Sequence, residues 1–164
     1  MRLNKDLSSA KNYAYRLIKF RARSEKEFRD KLKNKEYSAE VIEGVIGSLK
    51  KARLLDDRLF AKLWVESRIK RPLGLARLRY ELKQKGIDKD IIESTLCAVM
   101  ENYDEGKIIG EIMRSKIKKM GSTRPDKFKS RLYGFLIRRG YPRHLVVEAL
   151  LQHFVSDENQ DVML

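Results

Sequence analysis

The chain has 164 residues, 42% of them hydrophobic and 37% charged, and its 37 Lys and Arg against 23 Asp and Glu give a net charge of +14. That length supports one ordinary domain or several small units in a row, and the cationic excess makes a polyanion or an acidic protein surface the expected partner, nucleic acid first. A single cysteine, Cys97, excludes an internal disulfide and a thiol-rich metal site, and no apolar run approaches the roughly 18 residues a membrane span needs. The opening MRLNKDLSSAKNYAYRLIKF lacks the apolar core and cleavage site of a secretory signal, so a cytoplasmic protein without a membrane partner is expected.

Residues 1–11 form an N-terminal lead, polar apart from residues such as Leu3 and Leu7 and expected to fray. A first three-helix unit spans 12–55. Tyr13, Leu17, Ile18 and Phe20 mark a helix ending near Arg23, and Ser24 and Glu27 have the spacing of a capping box that opens the next. This second helix turns Phe28 and Leu32 inward and carries Lys26, Arg29, Lys31, Lys33 and Lys35 on a cationic opposite side. Glu36 stands where a glycine is expected to end it, so that turn is expected to be built differently. Ser38 caps a third helix with Val41, Ile42, Val45, Ile46 and Leu49 inward, in which Gly44 and Gly47 weaken the helix or admit a close neighbour.

The second unit spans 56–104. Asp56 and Asp57 cap a helix with Leu59, Phe60, Leu63 and Trp64 on one face, and Pro72 and Gly74 interrupt the chain. Leu75, Leu78 and Leu82 mark a helix that stops at Gly86, and Asp88 caps one with Ile91, Ile92, Thr95 and Leu96 inward. In the third unit, 105–155, Ile108, Ile109, Ile112, Met113, Ile117 and Met120 make an apolar stripe read as core. Gly121 and Ser122 break the chain before Pro125, which opens a helix burying Phe128, Leu132, Phe135 and Leu136 up to Gly140. Tyr141 and Pro142 set the last turn, and Leu145, Val146, Leu150 and Phe154 line the last helix. Residues 156–164, with Asp157, Glu158 and Asp161, form an acidic, loosely held C-terminal tail.

The units echo one another. Leu32, Tyr37, Ser38, Val41 and Ile42 recur as Leu82, Ile87, Asp88, Ile91 and Ile92 about 50 residues on, and Leu136, Gly140, Tyr141, Leu145 and Val146 repeat the pattern after about 54 more. The fold class expected is all-α, an elongated array of three tandem three-helix repeats, each burying its apolar face against its neighbours.

An elongated cationic body can make many weak contacts with a repetitive polyanionic partner at once, so that multivalency supplies affinity. The candidate binding residues are Arg68, Lys70, Arg71, Arg77, Tyr80, Lys83 and Lys85 in the middle unit, with a second cluster of Arg138, Arg139 and Arg143. Arg124, Lys127, Lys129 and Arg131 make a third. Leu75, Leu78 and Leu82 fix the buried side of their helix, leaving Arg77, Tyr80 and Gln84 outward; Tyr80 is placed to stack on a base, to pack on a partner or to snorkel at its own core. Asp56 and Asp57 have a sufficient role as helix-capping acids, and His144 and His153 have no ligand partner at suitable spacing. No catalytic residue, metal site or cofactor is expected.

The run Leu54, Leu55, Asp56, Asp57, Phe60, Ala61 and Trp64, followed by Arg68, Gly74, Leu82, Lys85, Gly86 and Ile87, resembles the central signature of the RecX family of bacterial recombinase regulators. Arg23, Ser24, Glu25 and Leu32 resemble that family's first unit, and the resemblance covers roughly residues 12–154. It implies a non-enzymatic protein that binds the RecA filament along its groove, contacts single- and double-stranded DNA, and restrains recombination, ATPase and SOS coprotease activities. A monomer is expected. The residues alone leave two alternatives: a stand-alone helical DNA-binding protein of helix-turn-helix type, or a repeat scaffold gripping an acidic protein without binding DNA.

Overall fold

Six of the described helices begin where a short polar side chain takes up an unpaired backbone N–H. Asp6 accepts the Ser9 N–H at 2.7 Å and opens α1, Leu7–Phe20. Ser24 accepts from Glu27 N–H while the Glu27 carboxylate reaches back to Ser24 N–H, the reciprocal capping box, and opens α2, Glu25–Lys33. Ser38 caps α3, Ala39–Lys51, and Asp56 accepts from Arg58 and Leu59 N–H at the start of α4, Asp57–Ile69. Then follow α5 (Leu75–Gln84), α6 (Lys89–Met100), α7 (Glu105–Ile117, capped by Asp104), α8 (Pro125–Arg138) and α9 (Arg143–Glu158). This computed structural model describes residues 6–119 and 125–158, and among them the fold is all-α, with nine helices in three tandem groups of three.

The chain divides into two compact units, and the middle repeat is shared between them. One unit holds the residues up to Ser67 together with Glu81–Thr95; the other holds Arg68–Tyr80 and the residues from Leu96 on. In the first, α1, α2 and α3 pack on a core of Ala10, Ala14, Phe28, Leu32, Val45, Ile46 and Leu49. In the second, α7, α8 and α9 close over Ile109, Met113, Leu132, Leu136, Tyr141, Val146 and Leu150. Gly44 admits a close neighbour, since a Cβ there would meet Leu7 at 3.0 Å, whereas Gly47 faces open space.

Several expectations need correction. Phe20 is 82% exposed rather than part of the α1 stripe; the buried line runs through Ala10 and Ala14, and α1 stops at Phe20 because residues 21–24 extend into the cap of α2. Leu59 and Leu63 are 53% and 45% exposed, because α4 turns Phe60, Ala61 and Val65 inward, on the roughly opposite side of the helix. The N-terminal lead is helical from Leu7; its first five residues, like Met120, Gly121, Ser122, Arg124 and residues 159–164, lie outside the described residues.

The turn at Glu36 is built as its siblings are, contrary to expectation. After α2, Glu36 N–H bonds Lys33 C=O at 2.7 Å and Tyr37 N–H bonds Leu32 C=O at 3.3 Å. Gly86 with Ile87 after α5, and Gly140 with Tyr141 after α8, make the same pair of bonds. All three residues adopt positive φ, 59° at Glu36, 76° at Gly86 and 85° at Gly140. Glycine is demanded twice at 86 and 140, by φ and by a side chain or backbone lying where a Cβ would stand; Glu36 shares the positive φ, with its side chain exposed. Glu36→Gly is therefore expected to raise stability by about 1 kcal/mol, read as a higher urea midpoint with unchanged slope.

Candidate functional site

The basic residues are positioned by two joints of the same design, one in each compact unit. In the first unit the start of α2 meets the end of α5. The Ser24 hydroxyl donates to Lys85 C=O at 2.6 Å, Lys26 Nζ donates to Gln84 C=O at 3.2 Å, and Asp57 accepts the Glu25 N–H at 2.8 Å. In the second unit the start of α5 meets the end of α8: Gly74 N–H donates to Arg139 C=O at 2.9 Å, and Glu105 accepts the Leu75 N–H at 2.8 Å. In both joints an acid in the first turn of one repeat's opening helix takes an unpaired N–H of the preceding repeat's second helix. Burial pushes Asp57 and Glu105 above their ordinary carboxylate range, against the lowering effect of those backbone bonds.

Two of the sequence-derived candidates are structural. Lys85 pairs with Glu27 at 2.8 Å and lies 4.8 Å from the centroid of the Trp64 ring, whose indole N–H donates to Glu81. Arg139 donates to Pro72 C=O at 2.8 Å and covers the Phe135 ring at 4.5 Å. Both hold their own fold together. Arg29, read as part of a cationic face, is likewise drawn into ion pairs with Glu25 and Glu43.

Lys70, Arg71, Arg77, Tyr80, Arg138 and Arg143 in the second unit, and Lys83 in the first, are exposed; Arg68 is half-buried. The Arg77 guanidinium lies 5.6 Å from the Tyr80 ring centroid, so this pair presents a cation and an aromatic edge together on α5. Of the third cluster, Lys127 and Arg131 are exposed, Lys129 lies 5.9 Å from the Phe154 ring, and Arg124 is outside the described residues. Lys116, with its ammonium 4.8 Å from Phe135, belongs among the exposed cations although α7 reads in sequence only as a core stripe. Its place at the end of that stripe is the signal that could have found it.

The first joint carries a test in its pH dependence. Burial opposes the charge of Glu27, but hydrogen bonds from Arg21 and Lys85 outweigh it and hold the carboxyl at about 2. A depressed folded-state value means the stabilisation is present above about pH 4, the unfolded range, and is lost as pH falls through about 2. Glu27→Gln is expected to cost about 1–2 kcal/mol at pH 7, and that difference from the parent should shrink steadily in urea titrations taken from pH 5 to pH 2.

Tandem three-helix repeats with exposed cations define a helical-repeat protein, and among the described residues no group of three or more His, Cys, Asp and Glu could hold a metal. No described helix is long and apolar enough to cross a membrane. Comparison with known proteins narrows the class. The family model for the second three-helix domain of RecX matches residues 56–96, and that for the first three-helix domain matches residues 10–49. Regulatory protein RecX of Amycolatopsis mediterranei is 35% identical over 138 residues, covering 83% of this chain and 78% of that protein. That of Chlorobium phaeobacteroides is 35% identical over 154 residues, covering 92% and 97%. The crystal structure of RecX from Lactobacillus salivarius superposes with a TM-score of 0.75 at 19% identity, over 92% of this chain and 97% of that one, a likeness of fold. The chain belongs to the RecX family of regulatory proteins.

Proposed function

We propose that this protein regulates a RecA-type recombinase by docking in the groove of the RecA–DNA filament, mainly inhibiting strand exchange, ATP turnover and SOS coprotease activity. Family membership carries the reading, and the exposed Arg71, Arg77, Lys83, Arg138 and Arg143 supply cations for DNA phosphate and acidic protein surface. The repeats at 12–55, 56–104 and 105–155 would act as successive docking modules, and no chemistry is asked of any residue. Many weak contacts along a repetitive groove give affinity that no single lysine or arginine provides.

The test is binding to preassembled RecA filaments on single-stranded DNA beside the same DNA naked, at one salt concentration. Preference for the filament supports the regulator. Equal affinity for both, with a steep loss on raising salt, would make the protein a stand-alone DNA binder.

A further inference from the structure

The two joints are built alike and charged differently. In the first unit Glu27 sits between Arg21 and Lys85, an internal carboxylate bonded to each at 2.8 Å. Counted from the first residue of α2 and of α5, Arg21 corresponds to Arg71 and Glu27 to Arg77, while Lys85 and Arg139 are the residues before Gly86 and Gly140. The second joint thus holds an arginine at each of the three places. Arg77 stands where its sibling has the carboxylate Glu27.

Against this joint, within the second unit, lies a cleft of about 560 Å³. Ile69, Ile108 and Ile112 give it aliphatic walls, and Lys70, Lys116 and Arg139 line it with positive charge. Glu111 is the one acid in the lining, and among the described residues no carboxylate pairs with any of these three cations. Single-stranded bases bind by stacking on open aromatic faces, whereas of the two rings lining this cleft Phe135 is engaged by Lys116 and Arg139, and Tyr103 is tied by its hydroxyl to Leu73 C=O. Aliphatic walls edged by cations fit a different ligand, a large apolar side chain next to carboxylates.

We propose that this cleft receives an acidic peptide segment of a protein partner, with an apolar side chain against Ile69, Ile108 and Ile112 and carboxylates against Lys70, Lys116 and Arg139. The inference does not rest on the recombinase reading, and its test needs no recombinase, so either can fail alone. The full chain, labelled with ¹⁵N, is titrated with a synthetic peptide of about a dozen residues that carries Leu-Phe between runs of Asp and Glu. Saturable amide shifts confined to Ile69, Lys70, Ile112, Lys116 and Phe135 are the expected result. The double variant Lys70→Glu/Lys116→Glu should weaken binding about tenfold, Lys70→Arg/Lys116→Arg should retain it, and Lys31→Glu/Lys33→Glu, on α2 of the other unit, should change it less than about twofold. A peptide with Ser-Ser in place of Leu-Phe should bind far more weakly. The proposal is overturned by unsaturable shifts, by equal affinity in the glutamate double variant, by undiminished binding of the Ser-Ser peptide, or by an oligothymidylate of equal charge binding the same amides more tightly.

Discussion

Gly74→Ala is expected to lower the stability of the chain by about 3 kcal/mol. A Cβ at Gly74 would stand 2.1 Å from the carbonyl oxygen and 2.2 Å from the carbonyl carbon of Gly140, and 2.5 Å from Tyr141 N. These are backbone atoms of a turn already fixed by Gly140 at φ 85° and by the Tyr141 N–H bond to Leu136. They cannot swing aside as a flexible side chain would. Retreat of the two backbones would also break the 2.9 Å bond from Gly74 N–H to Arg139 C=O and expose the start of α5. Gly47→Ala is the matched control: nothing lies within 4 Å of its Cβ position, so helix propensity should make it stabilising by about 1 kcal/mol. Urea unfolding of the two variants tests the pair, and a loss under about 1 kcal/mol for Gly74→Ala would mean the second joint yields far more readily than its geometry implies.

Reversing charge at Arg71, Arg77 and Lys83 together is expected to weaken binding to RecA–DNA filaments about 100-fold, while helicity and melting temperature stay near those of the parent. All three side chains are exposed, and the buried side of α5 belongs to Leu78 and Leu82, which the substitutions leave in place. If the contacts are to phosphate, the slope of log affinity against log salt should flatten by about 3, close to one for each cation removed. Filament binding that survives the triple reversal would move the docking face to Arg138 and Arg143. Arg139 and Lys85 are unsuitable for this experiment, since removing either also removes an internal strut.

What was legible in the sequence was local. Ser24 with Glu27, Ser38 and Asp56 cap helices because a side-chain oxygen reaches only the next turn, so spacing alone predicts them. The recurrence of Leu82-Gly86-Ile87 as Leu136-Gly140-Tyr141 was readable for the same reason: one turn fixes all three positions. Glu36 departs from the expected pattern because a left-handed residue costs little enough for an exposed non-glycine side chain to accept it. Leu59 and Leu63 were misplaced because Phe60, Ala61 and Trp64 form a competing stripe on α4, and only packing decides between overlapping stripes. The candidate site was the least legible part. Whether a cation serves the fold or faces outward depends on what lies across the joint, and Glu27 opposite Lys85 is 58 residues away in the chain.

The regulator reading is tested most directly by RecA ATPase on single-stranded DNA, with this protein titrated in at fixed salt beside a control for competition for the DNA itself. Inhibition well below one copy per recombinase subunit is expected, because a protein seated in the filament groove or at its end acts on many subunits at once. ATP turnover left untouched until the DNA is saturated would contradict it, and the chain would then be a DNA-binding repeat protein that leaves the recombinase alone.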